Sequence, residues 1–161
     1  MKKIIGYLLL WLIVGLLLMV WQHFVELPTW YLENLLLVQS TLMGIIGGLM
    51  YCLRAVYLNK CVRKSWDEEW EVWYYLRPIT SAISGFVSFV FLKAGLLVLD
   101  ATSKPDQISF GYLAIAFIAG YNVDNFMKKL ESIASSVWGI EKSRASNDII
   151  TKNEPNKEVD I

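Results

Sequence analysis

No charged residue falls between positions 35 and 53, and within that apolar stretch Ser40, Gly44 and Gly48 recur at steps of four. A run of this length is close to the roughly 20 residues that carry a helix across a hydrocarbon core of about 30 Å. The step of four stacks the three small residues on one helical face, and in lipid such a groove admits a second helix to backbone distance. Three further apolar stretches, at residues 4–20, 79–99 and 108–126, flank it. Residues 79–99 line Ser81, Ser84, Gly85, Ser88 and Gly95 along one flank, and residues 108–126 offer Gly111, Ala114, Ala116, Ala119 and Gly120.

The chain is 55% apolar, a fraction a soluble domain can also reach, so distribution decides. Soluble amphipathic helices interrupt their apolar runs with charge every few positions, and these stretches do not. The expected fold is all-α, an integral membrane four-helix bundle with spans at about residues 4–21, 35–58, 79–99 and 108–126. Short loops make consecutive spans antiparallel neighbours. Ser40, Gly44, Gly48, Ser84, Gly85, Ser88, Ala116 and Gly120 are the candidate packing residues, within the chain and between copies in a homo-oligomer.

Charge sets the orientation. All but two of the 15 Lys and Arg lie in the amino terminus, the stretch from Arg54 to Arg77, or the segment from Lys128 onward. The loop over residues 22–34 holds Glu26, Glu33 and His23 but no basic residue, with Trp21, Trp30 and Tyr31 placed as headgroup anchors. By the positive-inside rule both termini are cytoplasmic, in a bacterial inner membrane. Lys2 and Lys3 before an apolar run resemble a secretory signal, but no small-residue cleavage site follows, so the stretch is kept as the first span.

Between the second and third spans, Ser65 and Glu68 have capping-box spacing ahead of a short amphipathic helix over residues 66–76. Trp66, Trp70, Trp73 and Tyr74 give that helix one aromatic face, suited to the cytoplasmic interface or to a partner protein. Pro78 marks where the next segment begins. After the fourth span, Phe126, Met127, Leu130, Ile133, Ala134, Val137 and Trp138 share one face of a cytoplasmic helical extension over residues 124–138, and Gly139 is a natural stop. The transmembrane domain thus covers residues 1–139, and residues 140–161, charged and without aromatics, read as a mobile tail.

Aligning the spans by their ends yields two polar groups. Near the outer side fall Gln39, Ser40, Lys93 and Tyr112; near the inner side fall Arg54, Arg77, Asn122 and Asp124. Lys93 is the one basic residue inside a span, and with Leu99 as the outer end it lies roughly 9 Å below it, within snorkelling reach. A lysine at a helix centre costs about 2.5 to 3.5 kcal/mol on insertion scales, so acceptors such as Gln39 or Tyr112 are expected beside it. Asp124 is the natural partner for Arg77 or Arg54. The plain reading of both groups is structural glue; the functional one is a gate that responds to ligand, stress or potential.

Enzyme chemistry finds no footing. There is no paired-histidine motif, no Gly-Xaa-Ser-Xaa-Gly elbow and no phosphate loop, since residues 44–48 lack a following Lys-Ser/Thr and lie inside a span. Cys52 and Cys61 sit about 13 Å apart along a helix, too far for a disulfide, and read as buried thiols. No cofactor, metal or nucleic acid is expected, and the formal net charge is zero.

Lys2 and Lys3 before the first span, small outer loops, an aromatic inner helix leading to Arg77-Pro78, and a helical extension after residues 122–125 together carry a resemblance. Up to about Gly139 the chain resembles the small four-span inner-membrane proteins of bacterial anti-phage defence systems, the Kiwa membrane subunit among them. The resemblance implies a homo-oligomeric membrane sensor or effector that works with a cytoplasmic partner. The expected function is therefore a non-enzymatic sensor or scaffold in the lipid bilayer. The alternative is an oligomeric channel or depolarising effector, its pore lined by Ser81, Ser84, Ser88 and Lys93.

Overall fold

The structure, a computed structural model, describes residues 2–22, 24–64, 70–95 and 105–139. All regular structure among them is helical: α1 (Lys2–Trp21), α2 (Thr29–Glu33), α3 (Leu35–Tyr57), α4 (Glu71–Lys93), α5 (Pro105–Tyr121) and α6 (Val123–Trp138). A π-helical turn, Leu58–Val62, carries α3 onward. Three helical stretches, Lys3–Trp21, Leu35–Val62 and Glu71–Lys93, are long and apolar enough to cross a membrane. The apolar α5, at 17 residues, stands at the short end of the range of roughly 17 to 25 for a spanning helix.

The chain divides into two units, one up to Val123 and one from Asp124 onward, and the tail expected over residues 140–161 lies outside the described residues. Within the first, α3 is the central helix. It packs against α1, α4 and α5, and α4 also meets α5. The α3–α4–α5 contact is built of small residues. A Cβ on Gly44 would fall 2.6 Å from the Ser81 carbonyl oxygen and 2.8 Å from the Gly85 Cα, and one on Gly85 would fall 2.7 Å from the Ser40 carbonyl oxygen. A Cβ on Gly120 would run into the Gly44 backbone, and one on Gly47 into the Phe117 carbonyl. Backbone therefore lies on backbone, and no side chain larger than hydrogen fits between. In lipid, where apolar burial drives helices together only weakly, this dispersion contact holds the bundle.

The groove expected to receive a second copy is thus filled by the chain's own α4 and α5. The spacing of four specifies a close approach but not whose helix makes it.

Where Gly48 faces α4, Ser81 fills the space, and its hydroxyl donates to the Gly120 carbonyl of α5 at 3.1 Å. The other hydroxyls bond within their own helices: Thr41 to the Leu37 carbonyl, Ser84 to that of Thr80, Ser88 to that of Gly85. Each keeps a hydroxyl satisfied where no water can. The apolar core between α1 and the rest lies along the first half of α1, where Ile4 and Leu8 are buried against Leu49, Cys52, Val56 and Tyr74; further along, Gly15 sits against Ile46 and Gln22 meets α3. Its other faces present open apolar surface, with Leu10 and Leu17 both more than 60% exposed. A surface that size suits lipid tails rather than water.

Four expectations change. Pro78 does not separate two helices: α4 runs unbroken from Glu71 to Lys93 with Pro78 inside it. A proline there forfeits one backbone bond and costs about 3 kcal/mol in an isolated helix. The turns before it stay helical because Tyr74, only 2% exposed, is locked into the α1–α3 core. Second, α4 ends at Lys93, with Gly95 in the left-handed conformation at φ 73° and its amide donating to the Leu92 carbonyl. Lys93 therefore lies in the last turn of α4, where the macrodipole favours a cation, and residues 96–99 of the expected span lie outside the described residues. Third, α5 stops at Tyr121, and α6 begins after the single turn residue Asn122. Fourth, Cys61 is exposed while Cys52 is buried.

Gly44→Leu is expected to prevent α3, α4 and α5 from closing, destabilising the protein by about 3 kcal/mol or more in detergent. Gly6→Ala, at a position with nothing within 4 Å of an added Cβ, is expected to be neutral or stabilising. Thermal unfolding followed by circular dichroism distinguishes the two.

Candidate functional site

A concentration of polar and aromatic side chains lies around Arg77, where the first turns of α4 meet the later turns of α3 and the end of α5. The side chain of Arg77 is 3% exposed. Its guanidinium lies over the Tyr51 ring at 4.7 Å and the Trp73 ring at 5.0 Å, and its Nη2 reaches the Tyr121 carbonyl at 3.5 Å. Three helices meet at this group: Tyr51 comes from α3, Trp73 from α4, one turn before Arg77, and Tyr121 from the end of α5. The Tyr51 ring meets those of Trp73 and Tyr121 edge-on, with centroids 5.8 and 5.5 Å apart. A planar guanidinium stacks on such faces where an ammonium cannot, and a desolvated cation–π contact is worth about 2 kcal/mol. The same Tyr121 takes a second arginine: Arg54 Nη1 donates to its hydroxyl at 2.7 Å.

Of the inner group, Arg54 and Arg77 are therefore brought together, through Tyr121. Asn122 forms the turn after α5, with its amide donating to the Ile118 carbonyl. Asp124 opens α6 and belongs to the second unit. Tyr51 and Tyr121 were not among the residues singled out in the sequence. The signal was present: Tyr51 lies three residues before Arg54 and Tyr121 closes α5, and aromatics at that level serve equally as headgroup anchors.

The outer group divides. Gln39 donates from Nε2 to Gln22 Oε1 at 3.3 Å, joining α3 to the end of α1. Lys93 is exposed, with Nζ 5.6 Å from the Phe89 ring centroid, and that ring lies 5.6 Å from the ring of Tyr112. Phe89 thus stands between Lys93 and Tyr112, and Gln39 has a different partner. Ser40 is fully buried, and its hydroxyl has no hydrogen-bond partner among the described residues.

The packing residues Ser40, Gly44, Gly48, Gly85 and Gly120 converge at the central crossing, while Ser84, Ser88 and Ala116 are buried along the same helices. The aromatic face is not a single exposed stripe. Tyr74 is in the core, Trp73 faces Tyr51 and Arg77, and Trp70 is 59% exposed. Trp66, with Ser65, Glu68 and His23, lies outside the described residues. The physical reason is the unbroken α4, which turns two of these rings inward with Arg77.

Arg77→Lys is expected to cost about 2 kcal/mol despite keeping the charge, because a compact ammonium gives up the planar stacking on two rings and the forked donor that reaches the Tyr121 carbonyl. Tyr121→Phe, which removes the hydroxyl and keeps the carbonyl, is expected to cost clearly less. Paired unfolding curves in detergent measure both.

Compared with known protein families, with curated proteins and with solved structures, the chain matches none.

Proposed function

We propose that the chain is a non-enzymatic, homo-oligomeric subunit of the bacterial inner membrane that senses a membrane event, or scaffolds a response to it, and hands it to a cytoplasmic partner. In the setting implied by the resemblance to defence proteins, that event is phage attack. Both termini are cytoplasmic on the distribution of Lys and Arg.

The observation that carries this reading is α6. Its apolar and polar residues segregate to opposite sides, all but its first residue falls in the second compact unit, and Met127, Val137 and Trp138 are exposed apolar residues on it. Amphipathic helices of this kind dock into grooves of partner proteins through residues three and four apart. Copies of the chain meet through uncovered apolar sides such as that of α1, since the glycine grooves are already occupied.

The channel alternative is weaker. Ser81, Ser84 and Ser88 are at most 2% exposed and turned into the chain's own packing, so they do not offer a polar wall for a pore between copies.

Purification in a mild detergent is expected to give a protein mass that is a multiple of 18.5 kDa, with a cytoplasmic protein bound. Met127→Glu combined with Val137→Glu, both at exposed positions, should release that protein and leave the mass and membrane insertion unchanged. A monomer, or a partner retained by the double variant, would refute the proposal.

A further inference from the structure

The π-helical turn at the end of α3 has a consequence for charge. In a regular α-helix the residue stacked above Leu58 is Val62, four positions on. Here the Arg63 amide donates to the Leu58 carbonyl, five positions back, at 2.9 Å. The extra residue in the turn shifts the register by one, so Arg63 takes the place of Val62 on the stripe that holds Leu58 and, one turn earlier, Arg54. Single π turns of this kind recur at functional sites.

That stripe borders a cavity of about 280 Å³ lined by Tyr51, Arg54, Leu58, Asn59 and Arg63 among others. The volume is that of roughly nine waters at about 30 Å³ each, enough for a phosphate group and several waters. Among the described residues its lining carries two guanidinium groups and no carboxylate. The walls are held in place: Arg54 is fixed by the Tyr121 hydroxyl at 2.7 Å, and Asn59 hydrogen-bonds the Tyr74 hydroxyl. Both arginines are exposed, so their remaining N–H groups are open to a ligand. Planar guanidinium forks match phosphate oxygens in geometry as well as charge.

Depth identifies the setting. From Leu35 to Arg54 is about 28 Å along the helix, nearly the thickness of the hydrocarbon core. Arg54 therefore stands where lipid phosphates begin, and the next two turns, with Lys60, Arg63 and Lys64, reach beyond it. Basic pockets at this level on the cytoplasmic side take anionic headgroups.

The geometry points to a phosphate-binding site between Arg54 and Arg63, created by the π turn, whose ligand is the phosphodiester of an anionic lipid. The site rests on the membrane reading and on the orientation proposed above, and is independent of the sensor or scaffold role.

The test uses the full chain in neutral detergent. Thermal unfolding is recorded with added phosphatidylglycerol, with phosphatidylcholine, and with inorganic phosphate, for the wild type and for Arg63→Gln, Arg54→Gln and, as a surface-charge control, Lys128→Gln with Lys129→Gln. Phosphatidylglycerol should raise the midpoint where phosphatidylcholine does not, and Arg63→Gln should weaken that effect roughly tenfold in lipid concentration, as loss of a charge-assisted bond does. Arg54→Gln should act likewise, and the α6 control should not. An equal effect from inorganic phosphate, also lost in Arg63→Gln, keeps the site and makes its ligand a soluble phosphate. Equal response to both lipids, or a phosphatidylglycerol effect that survives Arg63→Gln or falls equally in the control, overturns the site. Carbonate extraction of wild-type membranes separately checks insertion, so failure of the membrane reading is distinguishable from failure of the site.

Discussion

Everything in the first unit depends on one steric condition, that the backbones of α3, α4 and α5 touch. Gly44 meets Gly85 on one side and Gly120 on the other, and neither approach leaves room for a Cβ. In water such contacts would be one contribution among many. In lipid the tails are as apolar as leucine, so helices gain little by hiding leucine from them, and close van der Waals contact takes over the work of a hydrophobic core. The hydrogen bond from Ser81 to the Gly120 carbonyl lies at the same crossing and fixes which turn of α4 faces which turn of α5.

A second constraint follows from the first. Helices drawn this close leave polar groups without water, so among the described residues all of their buried side-chain hydroxyls but that of Ser40 face an acceptor. Small hydroxyls solve this by bonding back to their own helix, as Thr41, Ser84 and Ser88 do. Arg77 needs a larger arrangement, and three helices supply it: two ring faces and a carbonyl. The cluster ties α3, α4 and α5 together about one level beyond the glycine crossing. Tyr121 sits at the junction of both features, since its amide backs onto Gly47 while its hydroxyl holds Arg54.

Particular residues show why some of this was legible and some was not. Ser40, Gly44, Gly48, Gly85 and Gly120 stood out because a step of four has one geometric meaning on a helix. Gly47 did not, since it falls outside that step, yet it lies against the Phe117 carbonyl on a neighbouring face of α3. Pro78 was misread because local preference argues for a boundary, while the burial of Tyr74 one turn earlier outweighs it. Arg77 stands out in the sequence as a charge near a span end, but the aromatic faces of Tyr51 and Trp73 that lie against it leave no spacing signature. The π turn left no trace in composition, and with it went the alignment of Arg63 with Arg54.

Helical structure, and helices long and apolar enough to cross a membrane, were legible in the residues alone, because length and uninterrupted apolarity are properties of a segment and need no neighbour to have meaning. Which helix fills which groove, whether a proline ends a segment, and which ring covers a guanidinium depend on distances between segments far apart in the chain. Those distances exist only once α3 has gathered α1, α4 and α5 around it, so the folded bundle alone could decide them.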